Sequence, residues 1–168
     1  LKAAPSESSA KLTVDFRFYD VASGRELLQE RYEGPPSEAR VMAHQFANDV
    51  VERLTGKPGI FGSKLLSIRK TKRGREVWLM DMDGHGARPI TKNGSINLLP
   101  AWFPDGKRFL FTSYLSRNPS LFASELAGGA ARLVSGRDGL NVGAAVSPDG
   151  QRIALTMTRD GNSEIYAI

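Results

Sequence analysis

Apolar and polar residues alternate along "KLTVDFRFYD", which places Leu12, Val14, Phe16 and Phe18 on one side of the chain. A period of two predicts a half-buried strand. "ASGR" supplies a turn, and "RELLQERYEG" reads as the returning hairpin strand, stopped by Pro35 and Pro36. The period then changes. In "SEARVMAHQFANDVVERLTG", Met42, Phe46, Val50 and Leu54 recur every four positions, with Ala43, Ala47 and Val51 beside them. That spacing predicts a helix with one apolar face. Ser37 is placed to cap it, Glu38 falls in its first turn, and Gly56, followed by Pro58, is placed to end it. A hairpin and a helix make a thin core. Residues 1–56 therefore read as the C-terminal part of an α+β domain, and residues 57–62 as a linker.

From residue 63 onward the pattern becomes short apolar runs separated by turn residues. "AWFPDGKRFLFTS" and "AVSPDGQRIALTM" are nearly the same segment, and a shift of 44 residues carries Pro104 onto Pro148. The same shift carries Trp78 onto Phe122, Phe122 onto Tyr166, and Asp81 onto Glu125. "KLLSI" falls on "RFLFT", which falls on "RIALT". A repeat of this length with four short strands per unit predicts β-propeller blades. In the complete unit an inner strand lies near Leu98 to Phe103, and further strands run over Arg108 to Ser113, Leu121 to Leu126 and Ala131 to Ser135. Residues 136–142 then cross to the next inner strand. The first copy lacks its inner strand and the last its outer one. The expected fold is an α+β piece followed by a partial β-propeller over residues 63–168. Propellers close with about four to eight blades. The chain is accordingly expected to be a piece of a longer protein or to pair with other copies. Unpaired strand edges would favour such self-association.

Composition narrows the chemistry. Hydrophobic residues are 40% and charged residues 24% of the 168, which suits a globular chain. No run approaches the roughly 20 apolar residues of a membrane span. Residues 1–10 are polar and read as an irregular leading segment without a secretory signal. The absence of Cys excludes disulfides, thiolate zinc sites and a cysteine nucleophile. The net charge of +5 is uneven: residues 1–62 carry 8 basic and 9 acidic side chains, the remainder 15 and 9. The dense run "RKTKRGR" from Arg69 contains no aromatic residue to stack a base. It reads as a solvated blade hairpin, so no nucleic-acid partner is expected.

Candidate catalytic motifs dissolve on inspection. In both "PDG" segments Pro presets φ, Asp bonds the turn backbone and Gly accepts positive φ, so Asp105 and Asp149 read as turn residues. "DMDGHG" begins like a calcium loop, but its fifth position is His85 and its twelfth Lys92. His44 has Asn48 where a zinc helix would carry a second His. No nucleophile elbow or phosphate loop is present. Neither a catalytic residue nor a metal or other cofactor is expected.

Four segments, "LTGKPGIFGSKLLSI", "EVWLMDMDGHGARPIT", "LLPAWFPDGKRFLFTS" and "AAVSPDGQRIALTMTRDGNSEIY", together resemble the TolB family of the Tol-Pal cell-envelope system. The helix carrying "AHQFANDVVERLTG" fits the same family. The resemblance implies a periplasmic, non-enzymatic binding protein with an α+β domain before a six-bladed propeller. This chain would begin inside the first domain and stop in the third blade. The resemblance also implies docking of a peptidoglycan-associated lipoprotein (Pal), support of outer-membrane integrity, use of the same face by colicins, and a TolA contact through an N-terminal segment outside this chain. The S/F-P-D-G repeat alone also suits the propeller of a prolyl oligopeptidase-like peptidase, which is the alternative. Crossings between blades gather on one propeller face. The expected partner-binding residues are therefore Ile96, Asn97 and Leu98 in one crossing and Leu140, Asn141 and Val142 in the other, with Arg137 and Asp138 at the polar rim.

Overall fold

The structure, a computed structural model, describes residues 11–168; the leading polar segment lies outside them. Two compact units divide after Ser63.

In the first unit β1 (Leu12–Tyr19) pairs antiparallel with β2 (Glu26–Gly34). Asp20 closes the connecting turn, its carboxylate accepting from the backbone N–H of Ala22 at 2.9 Å. Phe16 presents its ring to α1 (Ala39–Thr55), stacked on Phe46 at 4.9 Å and edge-on to Tyr32 at 5.9 Å. The Tyr32 hydroxyl donates to Asp49 of the helix. Burial, reinforced by that carboxylate, pushes the phenol well above its ordinary value. The expected cap at Ser37 is corrected. Residues Pro36–Glu38 form a 3₁₀ turn, Glu38 takes the cap position, and no side chain caps the helix. Pro36, with its φ fixed, starts the turn one residue early, and Ser37 falls inside it. Gly56 ends the helix in the left-handed conformation, φ 69°.

The second unit contains three antiparallel meanders. The first sheet is β3 (Lys64–Lys70), β4 (Arg75–Asp81) and β5 (Arg88–Pro89). The second has four strands, β6 (Asn97–Trp102), β7 (Arg108–Ser116), β8 (Asn118–Glu125) and β9 (Arg132–Ser135). The third is β10 (Asn141–Val146), β11 (Ile153–Met157) and β12 (Glu164–Ala167). The middle sheet is covered on both sides. Phe109 and Phe111 pack with Val77 of the first sheet, while Leu110 and Leu121 pack with Ala144, Leu155 and Met157 of the third. Burial on both faces explains why Phe109, Leu110 and Phe111 are apolar in succession rather than in alternation.

Each "PDG" is a turn whose carboxylate is spent on the backbone. Asp105 accepts from the N–H of Lys107 at 2.8 Å and from Arg108 Nε at 2.6 Å, and Gly106 has φ 62°. These bonds, the Lys107 amide first, hold its carboxyl at about 2. Asp149 repeats the arrangement with Ser147 and the Gln151 N–H, which lower its pKa too.

Candidate functional site

The two crossings between sheets are built alike. In the first, Asn97 opens β6 and is fully buried. Its Nδ2 donates to the Arg75 carbonyl at 2.8 Å and to Glu76 Oε2 at 3.0 Å, reaching back to the preceding sheet. Glu76, also buried, accepts further bonds from Thr91 Oγ1 at 2.5 Å and from the Gly94 N–H at 2.8 Å. Three donors thus converge on one buried carboxylate, which is how a charge is tolerated away from water. Asn93 and Asn97 also pair through their amides at 2.8 and 3.0 Å.

Forty-four residues later the arrangement recurs with different partners. Asn141 opens β10, fully buried, and its Nδ2 donates to the carbonyls of Arg137 at 2.7 Å and Pro119 at 3.2 Å. Its Oδ1 accepts from Ser135 Oγ at 2.6 Å and from the Arg137 N–H at 3.3 Å. Ser135 stands where Thr91 stands, and Ser120 where Glu76 stands. The second latch therefore has a hydroxyl where the first has a carboxyl group.

These latches correct two of the expected contact residues. Asn97 and Asn141 have no exposed surface; their amides are consumed in joining consecutive sheets. The others are placed around them. Ile96 is 44% exposed and Leu140 37%. Arg137 and Asp138 are exposed, and Leu98 and Val142 are half-buried at the start of the inner strands. The second crossing is pinned to the third sheet, because the Leu140 N–H donates to Thr158 Oγ1 at 2.8 Å. A Cβ on Gly139 would stand 2.2 Å from that oxygen.

One residue beside this set escaped the sequence reading. Leu99 has φ 51°, in the left-handed region that side chains avoid, and is 52% exposed. It lies in the register shift between Leu98 and Ala101 on β6. The corresponding bulge on β10 uses Gly143, φ 66°. The signal was in the alignment of the two repeats, where a Gly faces a Leu.

The remaining chemical candidates resolve into structure. Asp81 pairs with Lys64 at 2.5 Å, and Asp83 accepts from the His85 N–H at 3.0 Å, closing the "DMDGHG" turn. His44 lies against the Phe61 ring at 6.2 Å. Among the described residues no three His, Cys, Asp or Glu side chains gather as a metal site, and no helix is long and apolar enough to cross a membrane.

Consecutive antiparallel meanders of three, four and three strands, joined by crossings, define a β-propeller-like repeat protein. A profile described as the TolB beta propeller domain matches residues 51–168. The chain is 44% identical over 107 residues to a Tol-Pal system protein TolB of Geobacter metallireducens, covering 64% of this chain and 25% of the relative. It is 38% identical over 111 residues to that of Desulfosudis oleivorans, covering 66% and 25%. The crystal structure of TolB from Acinetobacter baumannii superposes with a TM-score of 0.85 at 28% identity, covering 93% of this chain and 40% of that one. The chain belongs to the TolB family, and it spans about a quarter of the length of these curated relatives.

Proposed function

We propose that the chain is part of a non-enzymatic, periplasmic binding protein of the Tol-Pal system whose blade crossings dock a peptidoglycan-associated lipoprotein, supporting outer-membrane integrity. The observation that carries this reading is the pair of latched crossings in a TolB-family propeller. Each latch fixes a loop whose outer side chains remain available, Ile96 in one and Arg137, Asp138 and Leu140 in the other. Leu98 and Val142 form the half-buried floor. Apolar side chains ringed by polar ones suit the core and rim of a moderate interface. A pre-positioned loop also costs less ordering entropy on binding.

In this proposal colicins use the same face, and a TolA contact belongs to segments outside the described residues. The six-bladed ring is the form in which the blades work.

Calorimetric titration of the chain with the periplasmic domain of a peptidoglycan-associated lipoprotein tests the proposal. Saturable binding at micromolar concentration or tighter is expected, weakened about tenfold by a paired Ile96→Ala and Leu140→Ala substitution. Equal affinity in the paired variant would sink the site assignment. No binding to a folded chain and none to the full-length protein would sink the function.

A further inference from the structure

The run "RKTKRGR" is the one conspicuous motif that neither the fold nor the lipoprotein reading uses. Its turn is built. Thr71 Oγ1 accepts from the N–H groups of Arg73 at 3.3 Å and Gly74 at 3.2 Å, and the Thr71 N–H donates to the Gly74 carbonyl at 2.8 Å. This clasp leaves Lys72 and Arg73 exposed at the tip. The hairpin is then joined to the first crossing. The Arg75 N–H donates to the Ser95 carbonyl at 2.9 Å. Gly74 lies so close that a Cβ there would stand 2.2 Å from the Ser95 oxygen. The crossing is joined in turn to the β7–β8 hairpin, because the Tyr114 N–H donates to the Ile96 carbonyl at 3.0 Å. Three loops from two consecutive sheets are thus tied into one ledge by main-chain bonds.

The ledge has a definite chemistry. Residues 70–75, 92–96 and 114–118 carry Lys70, Lys72, Arg73, Arg75, Lys92 and Arg117 and no acidic residue. All six cations are exposed. Lys70 stands directly opposite Arg75 in the β3–β4 register, a like-charge pair that costs stability unless an anion relieves it. Arg117 has φ 70°, a left-handed conformation held at the hairpin tip. The same three segments expose Ile96 and Leu115, at 44% and 57%, with Tyr114 at 38%.

We propose that this ledge binds an acidic polypeptide segment bearing aliphatic side chains, its carboxylates meeting Lys72, Arg73 and Arg117 and its apolar groups meeting Ile96 and Leu115. Cations and apolar anchors on one loop surface tied by main-chain bonds fit an extended peptide. Ile96 and Leu115 are aliphatic and Tyr114 is a single aromatic ring, whereas single-stranded nucleic acid is held by successive aromatic stacking platforms. Ile96 belongs to the lipoprotein surface as well, but this reading is tested with synthetic probes only, so its failure and the failure of the lipoprotein proposal are distinguishable.

The test is fluorescence anisotropy of the whole chain with a labelled 12-residue peptide of Asp, Glu and two Leu. Saturable binding is expected, falling steeply between about 50 and 300 mM salt as screening shortens the reach of the charges. The double variant Lys72→Glu with Arg73→Glu should lose about tenfold or more in affinity, and Leu115→Asn several-fold. Lys107→Glu, in the "PDG" turn of the same sheet, should leave binding unchanged. Circular dichroism confirms that each variant is folded. Undiminished binding by the Lys72/Arg73 variant would overturn the proposal. So would equal binding of a Lys-for-Asp/Glu peptide, or tighter binding of a single-stranded oligonucleotide than of the acidic peptide.

Discussion

Asn141 shows what a single buried amide contributes. It satisfies two carbonyls and accepts from a hydroxyl and an amide, joining residues that belong to two sheets. Asn141→Ala leaves those groups buried without partners, and a loss of about 2–3 kcal/mol in unfolding free energy is expected by urea titration. Asn141→Asp should also destabilise, since a carboxylate cannot donate to the Arg137 and Pro119 carbonyls. Asp105 makes a different residue-scale prediction. Its carboxyl is depressed in the folded chain to about 2 from 3.8. The stabilisation it gives is therefore complete above pH about 4 and lost as pH falls toward 2. Asp105→Asn should flatten that part of the acid-denaturation profile, measured by circular dichroism against pH. An unchanged profile would show that the turn carboxylate is not coupled to folding.

At the scale of elements, much was legible in the sequence and some was not. The four strands of the middle sheet follow directly from the 44-residue shift, because turn chemistry and apolar runs recur together. The hairpin and helix of the first unit follow from their periods of two and four. The helix start was misplaced because Pro36 overrides Ser37, a backbone constraint stronger than a capping preference. The roles of Asn97 and Asn141 were misread because a polar residue in a loop is usually solvated, and only the fold reveals what surrounds it. The junction after the helix also becomes physical here. Asn48 accepts from the Phe61 N–H at 2.9 Å, and a Cβ on Gly59 would stand 2.6 Å from the Asn48 Cα. Gly59→Ala should therefore lower the melting temperature, while Gly24→Ala, with nothing within 4 Å, meets only the strain of φ 68°. At the paired bulges, Gly143→Leu should cost about 1–2 kcal/mol in thermal or urea unfolding, the penalty that β6 already carries at Leu99.

At the scale of the molecule, the repeat supplies its own yardstick for what each sheet face does. Leu121 is fully buried against the third sheet, whereas Ile165, its equivalent one repeat later, is 79% exposed. That outer face offers apolar surface like the one the middle sheet has already covered. Concentration-dependent self-association is expected in sedimentation velocity, reduced by Ile165→Asp; a monomer at all concentrations would show that the face is tolerated bare. The other whole-molecule property is rigidity. Both crossings are latched to consecutive sheets before any partner arrives, so binding should leave the backbone arrangement of the blades unchanged.

The central claim is that the latched crossings are the docking surface, and amide hydrogen exchange tests it most directly. The chain would be followed with and without the periplasmic domain of a peptidoglycan-associated lipoprotein. The expected result is added protection concentrated in residues 93–99 and 136–142, with the "PDG" turns at the opposite ends of their strands unchanged. Protection confined to the first unit or to those turns, with both crossings exchanging as in the free chain, would contradict it.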